Sequence, residues 1–219
     1  MHQTVQNLIN IKDNIKSNVT REKNQKLPKI IAVSKTFGMD KILPLIEYGH
    51  LDFGENKVQE AIEKWSKLKL SNNNIKLHLI GGLQTNKVKL AVKLFDYIHS
   101  VDSEKLAKKI SVEQQKQKKK VRVFIQVNIG NEGQKFGVDK LLVPELCAYC
   151  KNLDLEVVGL MCIPPFNEPS EIFFKEMSEL NKKLNLEELS MGMSSDYLNA
   201  IKNSATYVRI GSNIFGERN

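Results

Sequence analysis

The sequence predicts an α/β fold: a single-domain (β/α)8 TIM barrel with an additional N-terminal helix. Three observations point there. Short β-branched or aliphatic runs alternate with longer amphipathic stretches, the pattern of parallel strands joined by crossover helices. Eight such units fit within 219 residues, a length suited to a closed barrel of this kind. The competing arrangement is an open doubly wound sheet. It usually has fewer strands and a glycine-rich first turn, and no such turn follows Ser34.

The elements follow in order. Leu8, Ile11, Ile15 and Val19 recur at helical spacing, so residues 2–24 read as a long helix, and 1–25 as a helical segment packed on the barrel. After Pro28 the expected strands are 30–34 (IIAVS), 51–53 (LDF), 76–80 (KLHLI), 96–100 (DYIHS), 121–127 (VRVFIQV), 155–161 (LEVVGLM), 188–192 (ELSMG) and 206–210 (TYVRI). Helical patterns lie near 39–48, 56–68, 85–94, 103–117, 139–151, 170–185 and 195–202. No linker or low-complexity block divides 1–219, so one domain is expected.

Composition narrows the class. A 41% hydrophobic share is too high for a disordered chain. No apolar run is long enough to cross a bilayer, and Met1-His2-Gln3-Thr4 does not resemble an export signal. Three cysteines, an odd count, argue against a disulfide framework. A cytoplasmic monomer without a membrane partner is expected. The formal charge is +8, but only Arg21, Arg122, Arg209 and Arg218 of the 33 basic residues are arginine. Codon usage in an AT-rich genome produces such a lysine excess, and the lysines are spread along the chain. Nucleic acid is therefore not expected as a partner. The densest cluster, Lys116 to Arg122, closes a helix whose dipole favours cations there.

In such a barrel, chemistry sits where strands end and the following loops begin. Lys35 follows the buried run Ile30–Val33. A lysine at the mouth of an apolar barrel loses hydration, its pKa falls, and a neutral amine condenses with aldehydes. The competing reading is a lysine that extends to solvent. Ser194 follows Gly192-Met193, and Gly211-Ser212 follow Arg209-Ile210. Hydroxyls and backbone N–H groups at two neighbouring strand ends form a phosphate cradle, where ordinary capping is the alternative. With a lysine on the strand that adjoins them on closure, they suggest a phosphorylated aldehyde.

AVSKT (32–36), FGENKVQE (53–60), HLIGGLQTNK (78–87), the Glu132/Lys135/Gly137 element, GLMCIP (159–164), SMGMSSDY (190–197) and VRIGSNIFGER (208–218) occur in order. Together they resemble the pyridoxal-phosphate homeostasis protein family, which shares its barrel with the N-terminal domain of alanine racemase. The resemblance implies that Lys35 holds pyridoxal 5′-phosphate as a Schiff base. It implies that Ser194, Gly211 and Ser212 hold the phosphate, that Arg209 faces the pyridine nitrogen, and that Asn56 lines the cofactor's edge. Two positions depart from the pattern: Ser212, where threonine is usual, keeps the hydroxyl, and Lys57 stands where an aromatic residue is common.

Arg209 carries a mechanistic expectation. A guanidinium cannot accept the proton that a carboxylate would leave on the pyridine nitrogen, so the ring stabilises a carbanion poorly. Racemases of this barrel type obtain their second base from an added domain and a partner subunit, and this chain is expected to lack that domain after Asn219. The expectation is a cofactor store that delivers to pyridoxal-phosphate-dependent apoenzymes. A weak amino-acid racemase is the alternative.

Other constellations are read as structural. Cys147 and Cys150 form a CxxC on the apolar face of a helix, with Cys162 alone. His78 alternates with Leu77 and Leu79 as an interior histidine, while His2, His50 and His99 share no metal-ligand spacing. Glu55 begins the following helix, where an acid suits the dipole. Lys135 lies near the ligand entrance or on the plain surface.

Overall fold

The longer apolar runs, such as KIIAV and RVFIQVN, are rich in β-branched residues that favour extension, and the connecting helices carry apolar stripes to lay against the resulting sheet. A computed structural model describes residues 1–19, 27–133 and 136–217. Among these the strands are β1 (Lys29–Val33), β2 (Asp52–Glu55), β3 (Lys76–Leu79), β4 (Tyr97–Val101), β5 (Arg122–Asn128), β6 (Val138–Asp139), β7 (Glu156–Cys162), β8 (Glu188–Ser190) and β9 (Tyr207–Ile210). Eight of them pair in parallel in the order β4-β3-β2-β1-β9-β8-β7-β5, and a β4–β5 pairing closes the ring. The architecture is a (β/α)8 barrel.

The helices are α1 (Gln3–Asn18), α2 (Met39–Glu47), α3 (Val58–Ser71), α4 (Val88–Leu94), α5 (Glu104–Gln117), α6 (Val143–Asn152), α7 (Ser170–Lys183), α8 (Tyr197–Lys202) and α9 (Ser212–Phe215). No helix among the described residues is long and apolar enough to cross a membrane. The apolar face of α1, with Val5, Leu8, Ile11 and Ile15 buried, packs beside α9, α2 and α8. Asn7 donates to the Ile214 carbonyl at 2.9 Å, and Asn14 to the Tyr197 hydroxyl at 2.8 Å. The segment predicted to continue this helix, 20–24, lies outside the described residues.

Most boundaries shift by a residue or more, and four shifts bear on the architecture or the site. The helix expected over 139–151 starts at Val143, because Val138 and Asp139 instead pair with Val127 and Asn128 as β6, a short strand added to the ring. The strand expected over 51–53 runs from Asp52 to Glu55. The strand expected over 188–192 ends at Ser190, and the helix expected from 195 starts at Tyr197. Gly192 explains the early end. Its φ is +89°, and a Cβ there would lie 2.5 Å from the Ala200 Cβ, so the chain turns sharply where only glycine fits.

Two apolar layers result. Ile30, Ala32, Leu77, Leu79, Ile98 and Val208 point outward to the helices, while Ile31, Tyr97, Phe124, Met161 and Tyr207 fill the barrel. This period-two alternation controls everything functional that follows.

Candidate functional site

On β1 the inward positions are Ile31 and Val33, and Lys35 continues that parity two residues past the strand's end. The turn carrying Lys35 is gripped from α3. Ser34 Oγ donates to Glu55 Oε1 at 2.8 Å, and the Ser34 carbonyl accepts from Lys64 Nζ at 2.8 Å. The Thr36 N–H donates to Glu60 Oε1 at 2.6 Å, with Thr36 held at φ +67°. Lys64 Nζ also lies 2.9 Å from Glu55 Oε1 and 3.1 Å from Glu60 Oε1, joining both clamps. Burial raises the Glu60 carboxyl's pKa, but the Thr36 N–H and Lys64 together outweigh it and hold the group below its ordinary value.

This corrects the reading of Glu55. It ends β2 rather than opening a helix, and its fully buried Oε1 accepts from Ser34, Lys64 and Trp65 Nε1. Helix α3 begins only at Val58, so no dipole contact is involved. Asn56, the next inward position after Gly54, is half-buried. The turn after β3 closes directly onto it: a Cβ on Gly81 would sit 2.3 Å from the Asn56 carbonyl oxygen, an approach only glycine permits.

On the other side of β1 from β2, the adjoining β9 and then β8 supply the next part of the wall. Asp196 Oδ1 accepts from the Met193 N–H at 2.6 Å and shapes the turn that presents Ser194. Ser194 Oγ accepts from the Gly211 N–H at 3.3 Å and the Asn213 N–H at 3.5 Å, while Asn213 Nδ2 donates to the Ser194 carbonyl at 2.9 Å. The polar atoms thus come from a turn and from the single-turn helix α9. Arg209 is buried, with Nη1 donating to Ser190 Oγ and Nη2 to the Cys162 carbonyl, both at 2.8 Å. Burial lowers the guanidinium's pKa from its ordinary value.

Lys35, Asn56, Ser194, Arg209, Gly211 and Ser212 all line one cavity of about 390 Å³ at the C-terminal end of the barrel. Sequence reasoning missed its apolar walls. Val33 and Ile80 were findable, since both continue the inward parity of their strands; Phe37, Ile163 and Met193 lie on loops with no period to reveal them. Phe37 stacks on Phe215 with centroids 4.9 Å apart, which anchors one side of the mouth. A Cβ at Gly211 would meet nothing closer than 3.5 Å, so the protein alone does not require glycine there. The space left open belongs to the cavity.

The remaining candidates lie elsewhere. Cys147, Cys150 and Cys162 are buried and free, and burial pushes their thiols up to about 11, 12 and 12. Such thiols stay protonated and unreactive. His78 is buried inside the barrel with both ring nitrogens bonded. Lys57 is exposed at the start of α3, and Lys135 falls outside the described residues.

An inward lysine after the first strand shares one cavity with hydroxyl and amide groups after the last two strands, at the C-terminal end of a (β/α)8 barrel. The family model described as alanine racemase, N-terminal domain, matches residues 7–219. The chain is 37% identical over 208 residues to the pyridoxal phosphate homeostasis protein of Haemophilus influenzae, covering 90% of this chain and 88% of that one. It is 38% identical to the human protein of the same name, covering 87% and 77%. The structure of PipY from Synechococcus elongatus with PLP bound superposes with a TM-score of 0.85 at 30% identity, covering 98% of this chain and all of that one. The chain belongs to the pyridoxal phosphate homeostasis protein family, within the alanine racemase N-terminal domain group.

Proposed function

We propose that this protein binds pyridoxal 5′-phosphate and serves intracellular vitamin B6 homeostasis, holding the cofactor through a Schiff base on Lys35 for storage or delivery. The observation that carries the reading is the convergence of Lys35, Asn56, Ser194, Arg209, Gly211 and Ser212 on one cavity. The residues fit the group: an amine stands past β1, hydroxyls and amides past the adjoining β9 and β8, and the side-chain-free Gly211 leaves room beside them. Pyridoxal 5′-phosphate supplies a reactive aldehyde on an electron-withdrawing pyridine ring.

The chain's own residues then divide the work. Lys35 supplies the amine, positioned by the α3 clamps on Ser34 and Thr36. Ser194, Ser212 and the Gly211 backbone receive the phosphate. Arg209, a permanent donor, faces the ring nitrogen and leaves it unprotonated, which favours retention over carbanion chemistry. The protein acts as a cytoplasmic monomer that hands its cargo to apoenzymes, and sequestration protects other amines from a free aldehyde.

The test is absorption spectroscopy of purified protein given pyridoxal 5′-phosphate, before and after borohydride, followed by peptide mapping. A visible band that reduction converts to a stable adduct on Lys35 is expected. No band, or an adduct mainly on another lysine, overturns the assignment. Robust conversion of L-alanine to D-alanine would replace the carrier reading with a racemase.

A further inference from the structure

Beneath the cavity, the barrel interior holds a continuous line of polar side chains. Arg209 Nη1 lies 2.8 Å from Ser190 Oγ, and Ser190 Oγ lies 3.0 Å from His99 Nδ1. His99 Nε2 lies 3.0 Å from His78 Nδ1, and His78 Nε2 lies 3.0 Å from Asp52 Oδ1. The line starts on β9, passes through β8, crosses the barrel to β4, and continues through β3 to the first residue of β2. Ser190, His78 and His99 are fully buried, and the Asp52 side chain is 24% exposed at the N-terminal end.

With both imidazoles neutral, the ionised Asp52 end fixes the direction of every bond. Arginine only donates, and an ionised aspartate only accepts. Ser190 Oγ accepts from Arg209 and could accept a second bond, so it is the Asp52 end that makes its hydroxyl donate to His99 Nδ1. His99 must then carry its proton on Nε2 and donate to His78 Nδ1, and His78 must likewise carry its proton on Nε2 and donate to Asp52. All five groups are satisfied with both imidazoles neutral and in the same tautomer. Reversing any single bond would leave two donors or two lone pairs facing each other in a buried interior, which is costly.

Other observations agree. Burial, the largest cause, lowers the His78 and His99 pKa values, and Arg209 further depresses that of His99. Burial raises the Asp52 carboxyl, but the bond from His78 and neighbouring positive groups outweigh it and hold the group below its ordinary value. The rings are also locked sideways: His78 stacks on Tyr97 at 4.3 Å and His99 on Phe124 at 4.2 Å. The direct partners of the Arg209 guanidinium are a hydroxyl and a carbonyl, so the wire links it to a carboxylate at the opposite end of the barrel.

We propose that Asp52, His78, His99 and Ser190 form a one-directional wire that orients and polarises Arg209, making Asp52 a positioning residue for the cofactor site from the far end of the barrel. The inference rests on the proposed role of Arg209 at the ring nitrogen, but the wire itself can be read without any ligand.

The first measurement uses ligand-free, ¹⁵N-labelled protein and long-range proton–nitrogen correlations of the imidazoles at pH 7. His78 and His99 are both expected as neutral Nε2–H tautomers; a cation or an Nδ1–H form at either overturns the wire. The second compares Asp52→Asn, which keeps an acceptor but removes the charge, with Asp52→Glu as the conservative rescue. Asp52→Asn is expected to shift the nitrogen resonances of His99 and Arg209, which Asp52 does not touch, and Asp52→Glu to restore them. In a Ser190→Ala background the effect should persist at His99 and vanish at Arg209. Unmoved His99 and Arg209 resonances, or an Arg209 shift that survives Ser190→Ala, overturn the proposal. Were Asp52→Asn unfolded, Ser190→Ala alone should shift His78, and a silent His78 is equally fatal.

In the loaded protein, Asp52→Asn is expected to release pyridoxal 5′-phosphate about three- to tenfold faster, with Lys35 still the reduced lysine; an unchanged rate overturns the coupling to the site. A wild-type chain that takes up no cofactor while showing the expected tautomers defeats the cofactor reading and leaves the wire standing. Normal loading with wrong tautomers does the reverse.

Discussion

The two ends of the barrel carry similar residue types and use them differently. At the N-terminal end a cavity of about 470 Å³ is lined by Lys29, Tyr97, Arg122, Glu156, Glu188 and Tyr207. Several of its polar groups bond to one another: Lys29 Nζ donates to the Tyr207 hydroxyl at 3.0 Å, Arg122 Nη1 to the Tyr97 hydroxyl at 2.8 Å, and Arg122 Nε to Glu156 at 2.8 Å. At the C-terminal end the smaller cavity gathers an amine, hydroxyls and a bare glycine from the ends of the neighbouring strands β1, β9 and β8. Size alone would point to the wrong end. What separates the two hollows is the set of groups each brings together: a lysine, hydroxyls and a side-chain-free glycine at one end, lysine–tyrosine and arginine–glutamate pairs at the other.

The sharpest way to break that comparison is to remove one lysine from each end. Both follow from β1 parity, Lys29 at its start and Lys35 just past its end. Lys35→Ala should abolish the borohydride-trapped adduct, read by mass spectrometry, while Lys29→Ala should leave loading near wild type. Equal losses would mean that the ends are not distinct.

Glycines offer the next contrast. Gly192→Ala forces a side chain into a left-handed conformation against Ala200 and should cost about 3 kcal/mol in urea unfolding. Gly211→Ala meets only ordinary contact distances, so stability should change by less than about 1 kcal/mol. Its methyl group intrudes on the cavity, and affinity for pyridoxal 5′-phosphate should fall about tenfold or more, measured by equilibrium titration. A Gly211→Ala protein that binds normally would show that the open space is not the ligand's.

The histidines extend the comparison to pH. His50, His78 and His99 are buried, and burial depresses all three, His50 to about 4. The unfolded chain therefore binds protons that the folded chain refuses, and stability falls as pH drops from about 6.5 toward 4. His50 alone accounts for about 3 kcal/mol across that window. Denaturation of the ligand-free protein at pH 7 and pH 5 checks this, and flat stability would mean that the buried rings protonate in place.

How much of this was legible beforehand follows from the same geometry. The ring of strands was readable because apolar runs and amphipathic stretches repeat locally. The placement of Lys35, Asn56, Arg209 and Gly211 was readable because a period of two carries each strand's inward face one step past its end. β6 was not, since two residues have no period and Val138 extends only because Val127 lies beside it. The wire was not legible either. His78 and His99 are 21 residues apart, His99 and Ser190 are 91 apart, and only barrel closure brings them together. Glu55 was misread because an acid before a helix and an acid ending a strand look alike until Ser34, Lys64 and Trp65 converge on it.

The smallest effect is expected at the rim of the N-terminal cavity, where Arg122 and Glu156 are about half exposed. Their pairing holds the Arg122 pKa above its ordinary value, the Glu156 bond contributing most. Solvent screens such pairs, so Glu156→Gln should cost no more than about 1 kcal/mol, falling further in high salt. It should also leave cofactor loading unchanged, because Glu156 lines only the structural hollow. A loading defect in Glu156→Gln would join the two ends by a route other than the His78–His99 line. The contrast between the two ends would then have to give way to a barrel whose whole interior serves the ligand.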